Sequence, residues 1–418
     1  MLQIMRTAAL LFGCLLLLLI RGSASAQDLP DPPRPPAFAR LFPQPTGVNG
    51  YEEWVQAGDL IRNNALIDAG RKPGATLTFK RHLLADANVM QALRLLRVGL
   101  NKPILTPHTL QDESSAFSEL AAFRKLAALL AIEEYVRFAG GNGDGAIDSL
   151  YDGLRFGCLI QGHYSNTGLT GIVITANVLS EFSQHLDQLS AYQCRRVQRH
   201  VEEWLTWPSP AAAIIYNQRQ DTLQRLEKQR GKPDALLELV TASSAGGEED
   251  PAISPLLYSL ASQPNQPKVI GAMIDRAEFL INDYYDAVLA NRKLPAEKRV
   301  PAQLRKENSL GSRVAAAITG DIEHQTKAYD HLEAQMRLLG VHAAIRGFQW
   351  EYDHLPNALA ELHLGRLGLD PFTGDPLFYQ RTGKSYDLYS AGPTGRAAPK
   401  EGKPVSTPRQ LIRVDTNS

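Results

Sequence analysis

Charge of one sign is what this chain lacks most plainly: 44 lysines and arginines are matched by 44 aspartates and glutamates. The first 26 residues carry Arg6 and Arg21 and no acid, so the rest keeps two more acids than bases. A balance that even gives no electrostatic footprint for nucleic acid and no polybasic signal for a membrane surface. Catalytic signatures are missing too. There is no H-E-x-x-H, no G-x-S-x-G, no Walker-type glycine loop and no dinucleotide fingerprint. No cofactor, metal site or catalytic residue is therefore expected. Long apolar runs are absent as well, since the longest, Thr7–Ile20, falls short of the ~20 residues of a membrane span. What is present is ordinary globular material, with 44% hydrophobic and 21% charged residues in 418.

Arg6, the apolar run and then Ala24-Ser25-Ala26 read as a secretory signal peptide over residues 1–26. Arg21 interrupts the pattern, so an uncleaved anchor stands as the alternative and as the chain's one route to a membrane. Cys14 lies inside the apolar core, which argues against lipidation. Residues 27–49 hold seven prolines, from Pro30 to Pro45, and read as an extended linker. Export leaves Cys158 and Cys194. Each sits on an apolar helical face, and two readings stay open: buried free thiols, or a disulfide in an oxidising compartment.

From Asn49-Gly50-Tyr51 to about residue 350 the pattern is helical almost throughout. Leu120, Phe123, Leu126 and Leu130 step by three and four, as do Ile147, Leu150, Leu154 and Cys158. Helices are expected over 168–187, 191–206, 210–230 and 266–291, with a long one over 321–350. Acidic residues 243–251 and the charged stretch 294–313 read as loops. The expected fold is mostly α: an array of antiparallel helical hairpins, resembling tetratricopeptide hairpins without a fixed repeat, with a small C-terminal α+β cap. The domains follow as 50–320, helical, and 321–418, the long helix plus cap.

Three stretches imitate sites. Gly140–Asp148 resembles an EF-hand loop, but Gly140 stands at the first ligand position and Tyr151 at the twelfth. It reads instead as a turn with Asp144 capping the next helix. His324 and His331 are seven apart on one helix, too far to chelate as an i, i+4 pair. Glu133-Glu134 and Glu202-Glu203 are adjacent pairs and read as solvated faces. Trp204 and Trp207 read as core.

The tail LDPFTGDPLFYQRTGKSYDLYSAG, 369–392, holds the expected strands, Leu377–Gln380 and Ser385–Leu388, around a four-residue loop. Asp370-Pro371 and Thr373-Gly374 set a turn, and Pro376 opens an edge strand. Phe378 faces opposite Leu377 and Tyr379, so the rings cannot form one platform. Asp370, Pro371, Gly374, Pro376, Tyr379, Tyr386 and Tyr389 are thus structural hairpin residues. With Phe372 and Asp387-Leu388 they match the D-P-W/F-x-G-x-P-x-x-Y and Y-D-L-Y-S-x-G motifs of the C-terminal half of type II secretion major pseudopilins, which this segment resembles. With the opening N-G-Y-x-x-W, the chain is also similar to secreted helical proteins of planctomycete-like and acidobacterium-like bacteria, a likeness that implies no activity. Pseudopilins start with a methylated helix and bind calcium after S-x-G. Here a signal segment replaces that helix, and Pro393–Lys400 has no carboxylate and two cations, so neither assembly nor calcium is expected.

Together these features point to an exported periplasmic or secreted protein that engages an unidentified protein partner in the envelope. The rival readings are an envelope-polymer hydrolase with carboxylates from separate helices, and an accessory of a secretion system.

Overall fold

The computed structural model describes residues 48–104, 113–160, 165–207, 210–230, 232, 234–236, 266–320 and 322–393. The signal segment, the linker to residue 47, the acidic loop 243–251 and the loop 394–400 lie outside the described residues.

The chain is mostly helical, with a small C-terminal antiparallel hairpin. Asn49 accepts from the Tyr51 amide and starts α1, Gly50–Ile61. Two short helices follow, α2 (Leu66–Gly70) and α3 (Leu77–Leu84), then α4 (Ala87–Leu100) capped by Asp86. Where α1 crosses α4, a Cβ on Gly50 would lie 2.3 Å from the Gly99 carbonyl oxygen. Only glycine lets the two backbones approach this closely. The crossing seats Trp54 against Phe123 of α5 (Glu113–Ala139) and Phe156 of α6 (Gly143–Ile160), with Trp54 and Phe156 edge to face at 4.7 Å. Tyr51 joins them at 5.5 Å from Phe123, completing a fully buried aromatic core.

α7 (Ser165–Phe182) packs on α5 and α6. After a 3-10 segment, Ser183–Gln188, Ser190 and Gln193 form a capping box at the start of α8, Ala191–Thr206. Next come α9 (Pro210–Glu227), α10 (Gln266–Asn291) and α11 (Leu310–Ile318). The last helix, α12, runs over Glu323–Tyr352 and lies against α8 and α7. Its Tyr329, Leu332, Met336, Leu339 and Ala343 are all buried, as their spacing requires. No helix of the described residues is long and apolar enough to cross a membrane.

The cap opens with two 3-10 turns, Leu359–Leu362 and Gly365–Gly368. The hairpin pairs β1 (Phe378–Thr382) with β2 (Ser385–Tyr389), Thr382 opposite Ser385, so the loop is the two-residue Gly383-Lys384 rather than four residues. Gly383 has φ +64°, as the first position of a type II′ turn requires, which lets the polar Arg381 and Thr382 stay in the ladder.

Candidate functional site

The hairpin residues act as structure. Asp370 is buried; its Oδ1 accepts from the Phe372 amide at 2.8 Å and its Oδ2 from the Ala391 amide at 2.6 Å. One carboxylate thereby ties the D-P-F turn to the end of β2. Gly374 holds φ +80° in that turn, and Pro376 bridges back to Leu369. Tyr379 donates to the Pro356 carbonyl at 2.7 Å, and burial pushes its hydroxyl up to about 12. Tyr389 stacks on Phe378 at 4.2 Å on the opposite face. Tyr386 is buried and hydrogen-bonded to Nδ1 of His342 on α12, while burial holds that imidazole down to about 3. The rings thus divide between two faces, and Tyr386 docks the cap on the long helix.

Cys158 on α6 and Cys194 on α8 are separate free thiols, both buried, so of the two readings the structure has the unbridged one. Burial raises both thiols, Cys194 to about 11. Each is therefore a poor nucleophile. Trp204 and Trp207 are core residues.

At the Gly140–Asp148 turn the cap is Asn142, whose Oδ1 accepts from the Gly145 amide at 2.9 Å. Asp144, expected in that role, turns outward with Asp148 to Arg196 on α8, at 2.9 and 2.8 Å. His331 lies against Phe372, its rings 5.2 Å apart, and burial lowers its basicity. Among the described residues no group of histidine, cysteine or acidic side chains is arranged to hold a metal.

Glu133 and Glu134 correct the expectation of a solvated face. Both are buried, because α5 is covered on nearly every side; Ala127, Ala128, Leu129, Leu130 and Ile132 just before them are all inaccessible. Glu133 accepts from Arg97, from Arg137 at 2.8 Å and from Ser149 at 2.7 Å, and Arg97 also reaches Asp152 at 2.8 Å. Three helices are locked through one charge network. Glu133 and Asp152 come from separate helices, as a hydrolase pair would, but both are held by the same guanidinium. Burial outweighs Arg97 at Asp152 and raises its carboxyl above the ordinary pKa.

What sequence reasoning missed is the outer face of α8. Its buried side carries Cys194, Val197, Val201, Trp204 and Leu205. The opposite side presents Tyr192, Arg195, Arg196, Arg199 and His200, which line a depression of about 200 Å³. The signal was there: these positions step 3, 1, 3, 1, one stripe of a helix. Arg195 pairs with Glu351 of α12, and Arg196 with Asp144 and Asp148. Arg199 is exposed and has no ion-pair partner among the described residues. His200 stacks on Tyr151 at 4.1 Å and is kept below its ordinary basicity by burial. Trp350 on α12 donates its indole N–H to the Leu189 carbonyl at 3.1 Å, just before the start of α8. Tyr192, Trp350 and Tyr352 are 60%, 58% and 58% exposed, unusual for such large rings.

No protein-family model, curated protein or solved structure matches the chain.

Proposed function

We propose that this chain is an exported protein of the cell envelope that works by binding another protein. The observation that carries this reading is the corner where α8 meets the end of α12. There Tyr192 and Arg199 are exposed on α8 beside Arg195, which pairs with Glu351 next to the exposed Trp350 of α12. Tyrosine, tryptophan and arginine are the residues enriched at protein-interface hot spots. The two carboxylates drawn together from separate helices, Glu133 and Asp152, are tied by Arg97 into a network that joins α4, α5 and α6, as a structural link would be. Export rests on the signal-like segment at residues 1–26, and the pseudopilin-like tail serves as a folding device that seals the end of α12.

The test is reciprocal affinity capture from the envelope fraction after crosslinking in cells. A partner recovered in stoichiometric amount, and recovering this chain when itself tagged, is the expected result. Recovery of the chain alone, together with release of soluble fragments from envelope polymer by the purified protein, would overturn it in favour of a hydrolase.

A further inference from the structure

Glu134 lies in the seam between α5 and α7, and the register of that seam follows from its other contacts. Arg124 of α5 donates to Thr170 of α7 at 3.3 Å, and the Phe138 ring of α5 meets Phe182 of α7 at 5.2 Å. Going from 124 to 138 on one helix thus matches going from 170 to 182 on the other. The two run parallel, and Glu134, one turn before Phe138, comes level with the last turn of α7. Glu181 stands there, paired with His185 at 3.4 Å. Glu134 itself is fully buried, and neither of its carboxyl oxygens has a hydrogen-bond partner among the described residues. Burial raises its pKa well above the ordinary value, and Glu181 and Glu133 add to the rise.

The cations around it are already engaged. On α5 itself Arg137 pairs with Glu133 and donates to the Gly145 carbonyl of α6. Arg97 of α4 holds Glu133 and, on α6, Asp152. Lys80 of α3 sits 3.6 Å over the Tyr135 ring, and Arg71, at the end of α2, donates to Asn177 of α7 at 3.0 Å. α1 meets α5 nearer its start, where Lys125 donates to the Arg62 carbonyl at 2.6 Å. A charge on Glu134 has no counter-ion to turn to, so it must find water. The cover is thin on the α7 side. Gln184, Asp187 and Gln188 are exposed there, and Ser183–Gln188 is a 3-10 segment, with poorer hydrogen-bond geometry than the α-helix it continues. That segment also grips the end of α12. Arg346 donates to the Asp187 carbonyl at 3.4 Å, and the Trp350 indole to the Leu189 carbonyl just beyond it at 3.1 Å.

We propose that Glu134 is the trigger of a pH-sensitive latch: on losing its proton it lifts the last turn of α7 and the 3-10 segment off α5, and with them their hold on the end of α12. The closed latch needs the protonated carboxyl and the open one accepts the carboxylate, so rising pH favours opening. This goes beyond the protein-binding reading and does not rest on it.

The experiment is hydrogen exchange of the full chain, read by mass spectrometry from pH 5 to 8 and corrected for the intrinsic pH dependence of exchange. The expected result is that protection over residues 178–189 falls about tenfold per pH unit until the closed form ionises, and that residues 346–352 follow. At every pH both segments exchange faster than the slowest amides of α1 and α4, as opening short of unfolding requires. Glu134→Gln and Glu134→Leu each make that protection independent of pH. Glu181→Gln leaves the slope standing, because burial is the larger cause of the shift. Circular dichroism checks that the variants fold. The proposal is overturned if the slope survives removal of the Glu134 carboxyl, or if it vanishes with Glu181→Gln alone. It is equally overturned if the wild type shows no slope, or if residues 346–352 stay protected while 178–189 open. Exchange no faster than that of the slowest core amides would mean unfolding of the whole chain, and no latch.

Discussion

Replacing Glu134 with leucine should stabilise this protein, and by more as the pH rises. Glu134 is fully buried on α5, and neither carboxyl oxygen has a hydrogen-bond partner among the described residues. Burial raises its pKa well above the ordinary value of 4.5, and Glu181 and Glu133 add to the rise, with Arg137 opposing it. The sign follows from that shift. Below about pH 4.5 both folded and unfolded chains carry the proton, and there is no penalty. Above it the unfolded chain ionises while the folded chain keeps its proton, so stability is lost by about 1.4 kcal/mol per pH unit until the folded carboxyl ionises too. Glu134→Leu removes this linkage and two unbonded oxygens, whose burial costs about 1–3 kcal/mol. Urea unfolding by far-UV circular dichroism at pH 5, 6, 7 and 8 measures both effects. The variant should exceed the wild type by about 1–3 kcal/mol near pH 4.5, with a gap that widens by about 1.4 kcal/mol per pH unit above it until the folded carboxyl ionises. Glu134→Gln should remove the pH slope with a smaller gain, because an unbonded amide stays buried. A gap independent of pH, or a leucine variant less stable at pH 7, refutes the reasoning.

Asp370→Ala should cost about 3 kcal/mol in the same assay, since it strands the Phe372 and Ala391 amides that one carboxylate now satisfies. An effect below about 1 kcal/mol would mean the turn holds without it. Iodoacetamide should leave Cys158 and Cys194 untouched in the native protein and modify both in denaturant without reductant. Failure of either thiol to react when unfolded would reveal a bridge. His342 is held neutral to about pH 3, so between pH 6.5 and about 3 the unfolded chain takes a proton the folded chain refuses, and stability falls as pH drops through that window. A His342 ring resonance titrating near 6.5 in the folded protein would contradict it.

Where local pattern and packing agree, the sequence was enough. Residues 191–206 and 266–291 are helices at the expected boundaries, because apolar spacing, caps and breaking prolines all point the same way. The hairpin was legible as a hairpin, but its loop was overestimated. Polar Arg381 and Thr382 look like loop residues, and they continue the strand only because the edge faces solvent and Gly383 can make the tighter turn. Glu133-Glu134 shows a deeper limit. Adjacent acids on a helix look the same whether water or protein surrounds them. The difference lies in Arg97, 36 residues earlier, and Ser149, 16 later, and no periodicity encodes that meeting.

The basic stripe of α8 was hidden for a different reason, one of averaging. An even balance of 44 and 44 leaves no global field, which is why no nucleic-acid footprint is expected. It says nothing about how charges are sorted between faces. Tyr192, Arg195, Arg196, Arg199 and His200 are invisible in the total because Asp144, Asp148 and Glu351 cancel them, from a turn some fifty residues earlier and a helix end some 155 later. The helix face and the carboxylates that balance it meet only in the fold, because Arg195 and Arg196 find their partners on two other helices. A net charge near zero is therefore compatible with a locally basic stripe, since a sum over the chain does not record which helix face each charge stands on.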